Sequence, residues 1–549
     1  MPNRLSRFAD GVMEAAWLLA LIVAPLFFNI YSSRVFEPDK IALVRSLALA
    51  ALAAWLVKLA AEGGPRYENV PAGWWRTRAG WRQLPLLAPV AALTVAYLVS
   101  TALSIAPNIS LFGSYQRLQG TFSTFSYLAL FAVVAANLRR RAQVERLITV
   151  VVITSLPISV YGLLQRYRLD PLPWGGDTVE RVTGHMGNAI FLAAYLIMAA
   201  MLVLGRLVTA FRAVMTSSER LPLHTARAAV YVFIFAVNLV AIWFTQSRGP
   251  QLGLLAGLFF FFVLLALHYR QRWLVITTIA LGAAAGAFIL ALNIPNTPLS
   301  PLAEVRGLNR LARVFDEIQG NTGTGRVRVL IWTGVVEMMT PHAPLETPDG
   351  QPDVWNAFRP LVGYGPEAML IGYNRFYPPE LGQLEARNAS PDRSHNETFD
   401  ALAFTGVLGL LAQLSLFVLI FYLSLKWLGL ITSPTSRNVF LGLVLGGGLV
   451  STVGFVAWQG PQFFGVSLPF GMVLGLIVFL ALYALRPRAS DEPEPPALET
   501  WRALTLISLF AAIVAHFTEI HFGIAIASTR THFWVFLGVM LVLGHLLPP

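Results

Sequence analysis

Residues 392–426 read DRSHNETFDALAFTGVLGLLAQLSLFVLIFYLSLK. From 398 onward the run is apolar and longer than the roughly 18 residues that cross a bilayer as a helix. Just before it stand Asp392, Arg393, Ser394, His395, Asn396 and Glu397, an imidazole among charges at the edge of a span. Such groups are costly to hold there, so a chain that keeps them is expected to use them. Outward from this stretch, apolar runs recur near 11–31, 40–61, 86–105, 122–138, 145–165, 186–208, 228–246, 250–268, 273–294, 438–458, 462–485, 501–522 and 529–547. The predicted fold is all-α: a polytopic membrane protein of about 12–14 transmembrane helices with a large, partly helical external loop.

Composition agrees. The 549 residues are 56% hydrophobic and 13% charged, where a soluble domain carries about a quarter charged. A net charge of +11 would suggest nucleic acid in a soluble protein; here the arginines fix topology, and the partner is the bilayer, not nucleic acid. Arg76, Arg78 and Arg82, then Arg139 to Arg141 with Arg146, occupy alternate loops. Arg212, Arg220 and Arg227, Arg270 and Arg272, Lys426 and Arg437, and Arg486 and Arg488 continue the alternation. Positive-inside places all of these in the cytoplasm with both termini. The opposite side receives 106–121, 166–185, 246–249, 295–397, 459–461 and 523–528. No small-residue cleavage site follows Met1 to Asp10, so the first span is expected to be retained.

The chain divides into N-terminal spans (1–294), an external loop domain (295–397), C-terminal spans (398–485), a cytoplasmic Pro/Glu linker (486–500) and an appended helix pair (501–549). In the loop domain, charges nearly balance and two amphipathic helices are expected. One carries Leu308, Leu311, Val314 and Phe315; the other Val329, Leu330, Trp332, Val335, Val336 and Met339.

Five polar features fall on the external side. Arg117 lies in a loop between Gly113 and Gly120, and His185 precedes Gly187-Asn188 at the mouth of the sixth span. Arg248 sits in a tight break before Gly249-Pro250, where a new helix offers outward N–H groups beside a guanidinium, an arrangement suited to phosphate oxygens. Arg326 follows Gly323 and Gly325 at the opening of an amphipathic helix, again a place for an anion. The fifth is Arg393 to Glu397, where His395 is the candidate general base, with Asp392, Glu397 or Asp400 to orient it. Glu519, His521 and Arg530 in the last hairpin read as structural. The external segments hold no Asp-x-Asp for a metal-held nucleotide sugar, and the chain has no Gly-Lys-Ser/Thr, no His-Glu-x-x-His and no Gly-x-Ser-x-Gly. Without cysteine there is no disulfide, thiolate metal site or cysteine nucleophile.

In order, Gly187-Asn188 opening a span, Gln246-Ser247-Arg248-Gly249 ending one, and Arg326 with Trp332 in the loop resemble the O-antigen ligase/polymerase superfamily of bacterial membrane glycosyltransferases. Gly363-Tyr364-Gly365-Pro366 and Ser394-His395-Asn396-Glu397, leading into Gly406-Val407-Leu408-Gly409, complete the resemblance over roughly residues 11 to 485. It implies an enzyme of the cytoplasmic (inner) membrane with its site facing the periplasm or exterior, using no metal or cofactor. The donor is an undecaprenyl-diphosphate-linked glycan and the acceptor a glycan, lipid or protein. Arg248 and Arg326 are implied to bind the diphosphate and His395 to be catalytic. Arg117, Asn188, Arg393, Asn396 and Glu397 are candidates for support. Ligase, polymerase and protein O-oligosaccharyltransferase stay open within the family, and a polysaccharide or lipid transporter is the alternative of another class.

Overall fold

The structure, a computed structural model, describes residues 4–64, 76–77, 84–172, 174, 177–216, 219–294, 297–305, 308, 312, 323–387, 389–486 and 498–547. Among these the elements are helical, with no strand beyond the isolated bridge Glu346–Pro352. The main helices are α1 (Arg4–Leu26), α2 (Pro38–Glu62), α3 (Leu87–Ala102), α4 (Thr121–Asn137), α5 (Arg141–Arg166), α6 (Ala189–Thr216), α7 (Leu221–Thr245) and α8 (Arg248–His268). They continue as α9 (Arg272–Leu292), α10 (Gly323–Met339), α11 (Glu397–Trp427), α12 (Pro434–Gln459), α13 (Phe464–Leu485), α14 (Thr500–Glu519) and α15 (Ala527–Leu541). Among the described residues twelve helices are long and apolar enough to span; α3 and α4 are shorter apolar helices where further spans are expected from the sequence. The chain is an all-α, multi-pass membrane protein.

The bundle has a centre and a rim. The spanning windows of α6 and α14 are 83% buried and that of Ala527–Leu546 89%, whereas α9 is 6% and α12 17% buried. The helix pair after the linker, expected as an appendage, therefore lies in the middle of the bundle, against α8, α6 and α4. Its residues account for this: Ser508, His516, Glu519, Ser528, Thr529, Thr531 and His532 are all buried, and such polar groups are kept off lipid only at the centre. At the rim α12 and α13 pack through glycines. A Cβ on Gly447 would lie 2.6 Å from the Gly471 carbonyl oxygen, so the two backbones touch.

Helix α11 is broken at Gly406, where φ is 65°. The freed carbonyls of Ala403 and Phe404 accept the N–H groups of Tyr364 and Gly365 at 2.8 and 3.0 Å. The loop before α11 is thus stitched into the helical domain, and the non-helical backbone at the break is satisfied by protein. Of the two expected amphipathic helices, α10 is the second, with Val329, Leu330, Trp332 and Val335 buried beneath it. Of the first, Leu311, Val314 and Phe315 lie outside the described residues, as do Arg78, Arg82, Arg488 and most of the linker.

Candidate functional site

Asn396 caps α11: its side-chain oxygen accepts the Phe399 N–H at 3.1 Å, and its amide donates to the carbonyls of Gly465 (2.9 Å) and His521 (3.0 Å). The preceding turn is tied down as firmly. The Ser394 N–H donates to Asp400 Oδ1 at 2.8 Å, and its carbonyl accepts the Trp332 indole N–H at 2.9 Å. Between these two anchored residues His395 adopts left-handed backbone, φ 58°, a conformation a non-glycine residue keeps only where its surroundings impose it. Arg393 is fully buried, 3.4 Å from Glu367 and 3.5 Å from Asp400, with its guanidinium carbon 4.8 Å from the Phe404 ring centre.

Two other distant segments meet this turn. Arg117 grips Asp392 with two guanidinium nitrogens, and the Ser114 N–H of the same loop donates to Glu367 at 2.5 Å. Burial works against an ionised Asp392, but the hydrogen bonds and charge of Arg117 hold its pKa below the ordinary value. From α2, Arg45 braces the loop by donating to the Leu118 carbonyl at 2.7 Å. The third segment is α10, through Trp332, which also stacks on Phe399 with ring centres 6.0 Å apart.

The His395 ring is partly exposed. Desolvation first, then the positive charges of Arg328 and Arg117, lower its pKa to about 3; Asp392 opposes and Arg393 adds to the lowering. The imidazole is accordingly neutral at physiological pH, in a strongly positive field that a bound polyanion would relieve.

The predicted residues separate. His395, Arg393, Asn396, Glu397 and Arg117 come together. Arg326 does not join them: it pairs with Glu380 at 2.8 and 2.5 Å on an exposed edge. Arg328 takes its place, and helical geometry explains why. Arg328 is four residues from Trp332, on the face that reaches His395, while Arg326 is six away and turned aside. That spacing was present in the sequence. Asn188 caps its own helix, accepting the Ile190 N–H at 2.9 Å in an exposed position. Arg248 opens α8 and is not among the charges acting on His395. Next to it, a Cβ on Gly249 would meet Phe522, beside the His521 carbonyl that Asn396 holds.

The last helix pair also reaches the site. Glu397 receives Arg530 at 3.1 and 3.4 Å and Gln413 at 3.2 Å, and its N–H donates to the Ile520 carbonyl at 3.0 Å. A cavity of about 40 Å³ lies between Glu397, Gln413, His516 and Arg530. No group of three or more metal-ligating side chains occurs among the described residues. No family model matches the chain, and no curated protein matches it.

Proposed function

We propose that the protein is a membrane glycosyltransferase that moves a glycan from an undecaprenyl-diphosphate carrier to an acceptor hydroxyl at the external face of the cytoplasmic membrane. The observation that carries the reading is the meeting of three sequence-distant segments at the turn that holds His395, with the charges of Arg328, Arg117 and Arg393 acting on its ring. A diphosphate is a good leaving group once its charge is neutralised, and fixed guanidiniums do this without a divalent ion. The acceptor O–H gives its proton to the neutral His395 ring as its oxygen bonds to the anomeric carbon. The bond from that carbon to phosphate oxygen breaks with inversion, and the arginines hold the departing diphosphate. Donor binding also strengthens the base, because the phosphate charge offsets the Arg328 and Arg117 charges that add to desolvation in lowering the His395 pKa.

A transporter would use ionisable groups at an open, broken helix near mid-membrane. Here the break at Gly406 is closed by Tyr364 and Gly365, and the arginines gather around an external loop, so the enzyme reading is preferred. The test is direct. Purified protein, a lipid-diphosphate-linked oligosaccharide and candidate lipid, glycan and protein acceptors are mixed in chelator. A transferred product that vanishes in His395→Ala is expected; no product with any acceptor class, or full transfer by the variant, refutes the reading. The acceptor that works separates ligase, polymerase and protein glycosylation.

A further inference from the structure

In the loop before α11, a single 3₁₀ turn, Asn356–Phe358, runs directly into a helical turn, Arg359–Val362, and the two sides of this segment differ. On the inner side Arg359 is buried and donates to both carboxylate oxygens of Asp353, at 2.7 and 2.6 Å. It also donates to the carbonyls of Leu103 (2.8 Å) and Gly363 (3.0 Å), and Asn356 donates to the His342 carbonyl at 2.6 Å. The outer side carries Val354, Trp355, Phe358 and Leu361 at helical spacing, each between 42 and 82% exposed. The Trp355 and Phe358 rings meet edge to face, 6.2 Å between centres. No exposed residue of 353–362 carries a charge.

The inner hydrogen bonds keep these four side chains turned outward, and a contiguous apolar face of this kind marks a contact surface. Its place among the helices says what it touches. Leu103, which accepts from Arg359, directly follows α3, and a Cβ at Gly406 would strike the Leu361 carbonyl, so the segment rests on the break in α11. From that break to Trp427, α11 is about 33 Å long at 1.5 Å per residue, enough to cross a hydrocarbon core by itself. Of its charged residues, Glu397 and Asp400 precede the break and Lys426 lies in the last turn. Just past the break Leu408 and Leu411 are exposed, as is Leu98 near the end of α3. The segment therefore stands where two lipid-facing flanks end, at the level of the headgroups, and tryptophan concentrates there because its ring is apolar with a polar handle. We infer that the face formed by Val354, Trp355, Phe358 and Leu361 dips into the bilayer leaflet on the side of His395 and anchors the loop before α11 to it. A few residues on, Glu367 lies 3.4 Å from Arg393, so the anchor ties the His395 turn to the membrane surface. It stands whether or not the protein is a glycosyltransferase.

The chain contains no cysteine, so a single introduced thiol reports one position. Phe358→Cys and Leu361→Cys are spin-labelled in the full chain, reconstituted at one copy per phospholipid nanodisc. Leu408→Cys gives the lipid-facing reference and Asp349→Cys, exposed in the same loop, the aqueous one. Collision rates with oxygen, which favours lipid, and with a water-soluble nickel chelate give the depth of each label. Both segment labels are expected about 5–10 Å inside the headgroup boundary, shallower than the label at Leu408, with oxygen collisions outweighing nickel. That reading in one-copy discs also excludes a second copy of the chain as the occupant. Labels as open to nickel as at Asp349 would leave the face in water, and labels shielded from both probes would place it against protein; either result overturns the inference. Should one variant fold poorly, as judged by melting in detergent, the other carries the same expectation, because both side chains are exposed.

Discussion

His395 is distinguished less by its own chemistry than by the residues that fix its backbone and charge. Ser394 and Asn396 hold the left-handed turn from either side, and desolvation, reinforced by Arg328 and Arg117, keeps the ring neutral. His395→Ala should cut transfer by about a hundredfold or more while insertion and melting are preserved, since a general base supplies about 10²–10⁴. Substitution along α10 distinguishes its two arginines. Arg328→Gln should lower kcat/KM about a hundredfold as lost charge stabilisation. Arg326→Gln removes only an exposed pair with Glu380, worth about 0–1 kcal/mol, and should change it less than about fivefold. Equal effects of the two substitutions would return the role to Arg326. The pH dependence has a definite sign. In the free enzyme the His395 pKa is about 3, so kcat/KM should not fall near pH 6.5. With donor bound the field is cancelled and the pKa rises, so the acid limb of kcat should lie at higher pH than that of kcat/KM. Coincident limbs would contradict donor-dependent activation of the base.

Among the elements, α14 and α15 have the most unexpected part. The Pro/Glu linker before them, and a resemblance that stops near residue 485, predict an appendage. Yet α11 begins against them, through Asn396 to the His521 carbonyl of their connecting turn and through Glu397 to Arg530 of α15. Arg530→Met leaves a buried carboxylate with little compensation and should cost about 3–5 kcal/mol, measured as lost thermal stability in detergent. Adding Glu397→Gln should recover part of that loss, giving a coupling energy in the double-mutant cycle; purely additive losses would dismiss the pair. The break in α11 makes a separate prediction. A Cβ at Gly406 would strike the Leu361 carbonyl while holding φ at 65°, so Gly406→Ala should misplace the loop before α11 and reduce expression of folded protein. Wild-type yield and melting in that variant would show the break to be dispensable.

For the whole molecule, burial of histidines predicts acid sensitivity. His185 is held at about 4 by desolvation and by Lys40, with Asp170 opposing, and His395 at about 3. Below about pH 6.5 the unfolded chain takes up protons that the folded chain refuses, so stability is full above that pH and declines toward pH 4. Melting temperature should drop on acidification, and less steeply in His395→Gln; a flat profile from about pH 7 to 5 would contradict the placement of both rings. The sequence alone determined the membrane class, the helical fold, most of the spans and the His395 turn. Apolar run length and charge placement are local properties, and a bilayer imposes its thickness on them directly. Tertiary structure decided which arginine meets His395 and that the last two helices are central. Those outcomes depend on helix phase and on contacts between segments far apart in the chain. Arg326 and Arg328 are chemically the same in a sequence, and only the packing of Trp332 beneath Ser394 turns one of them inward.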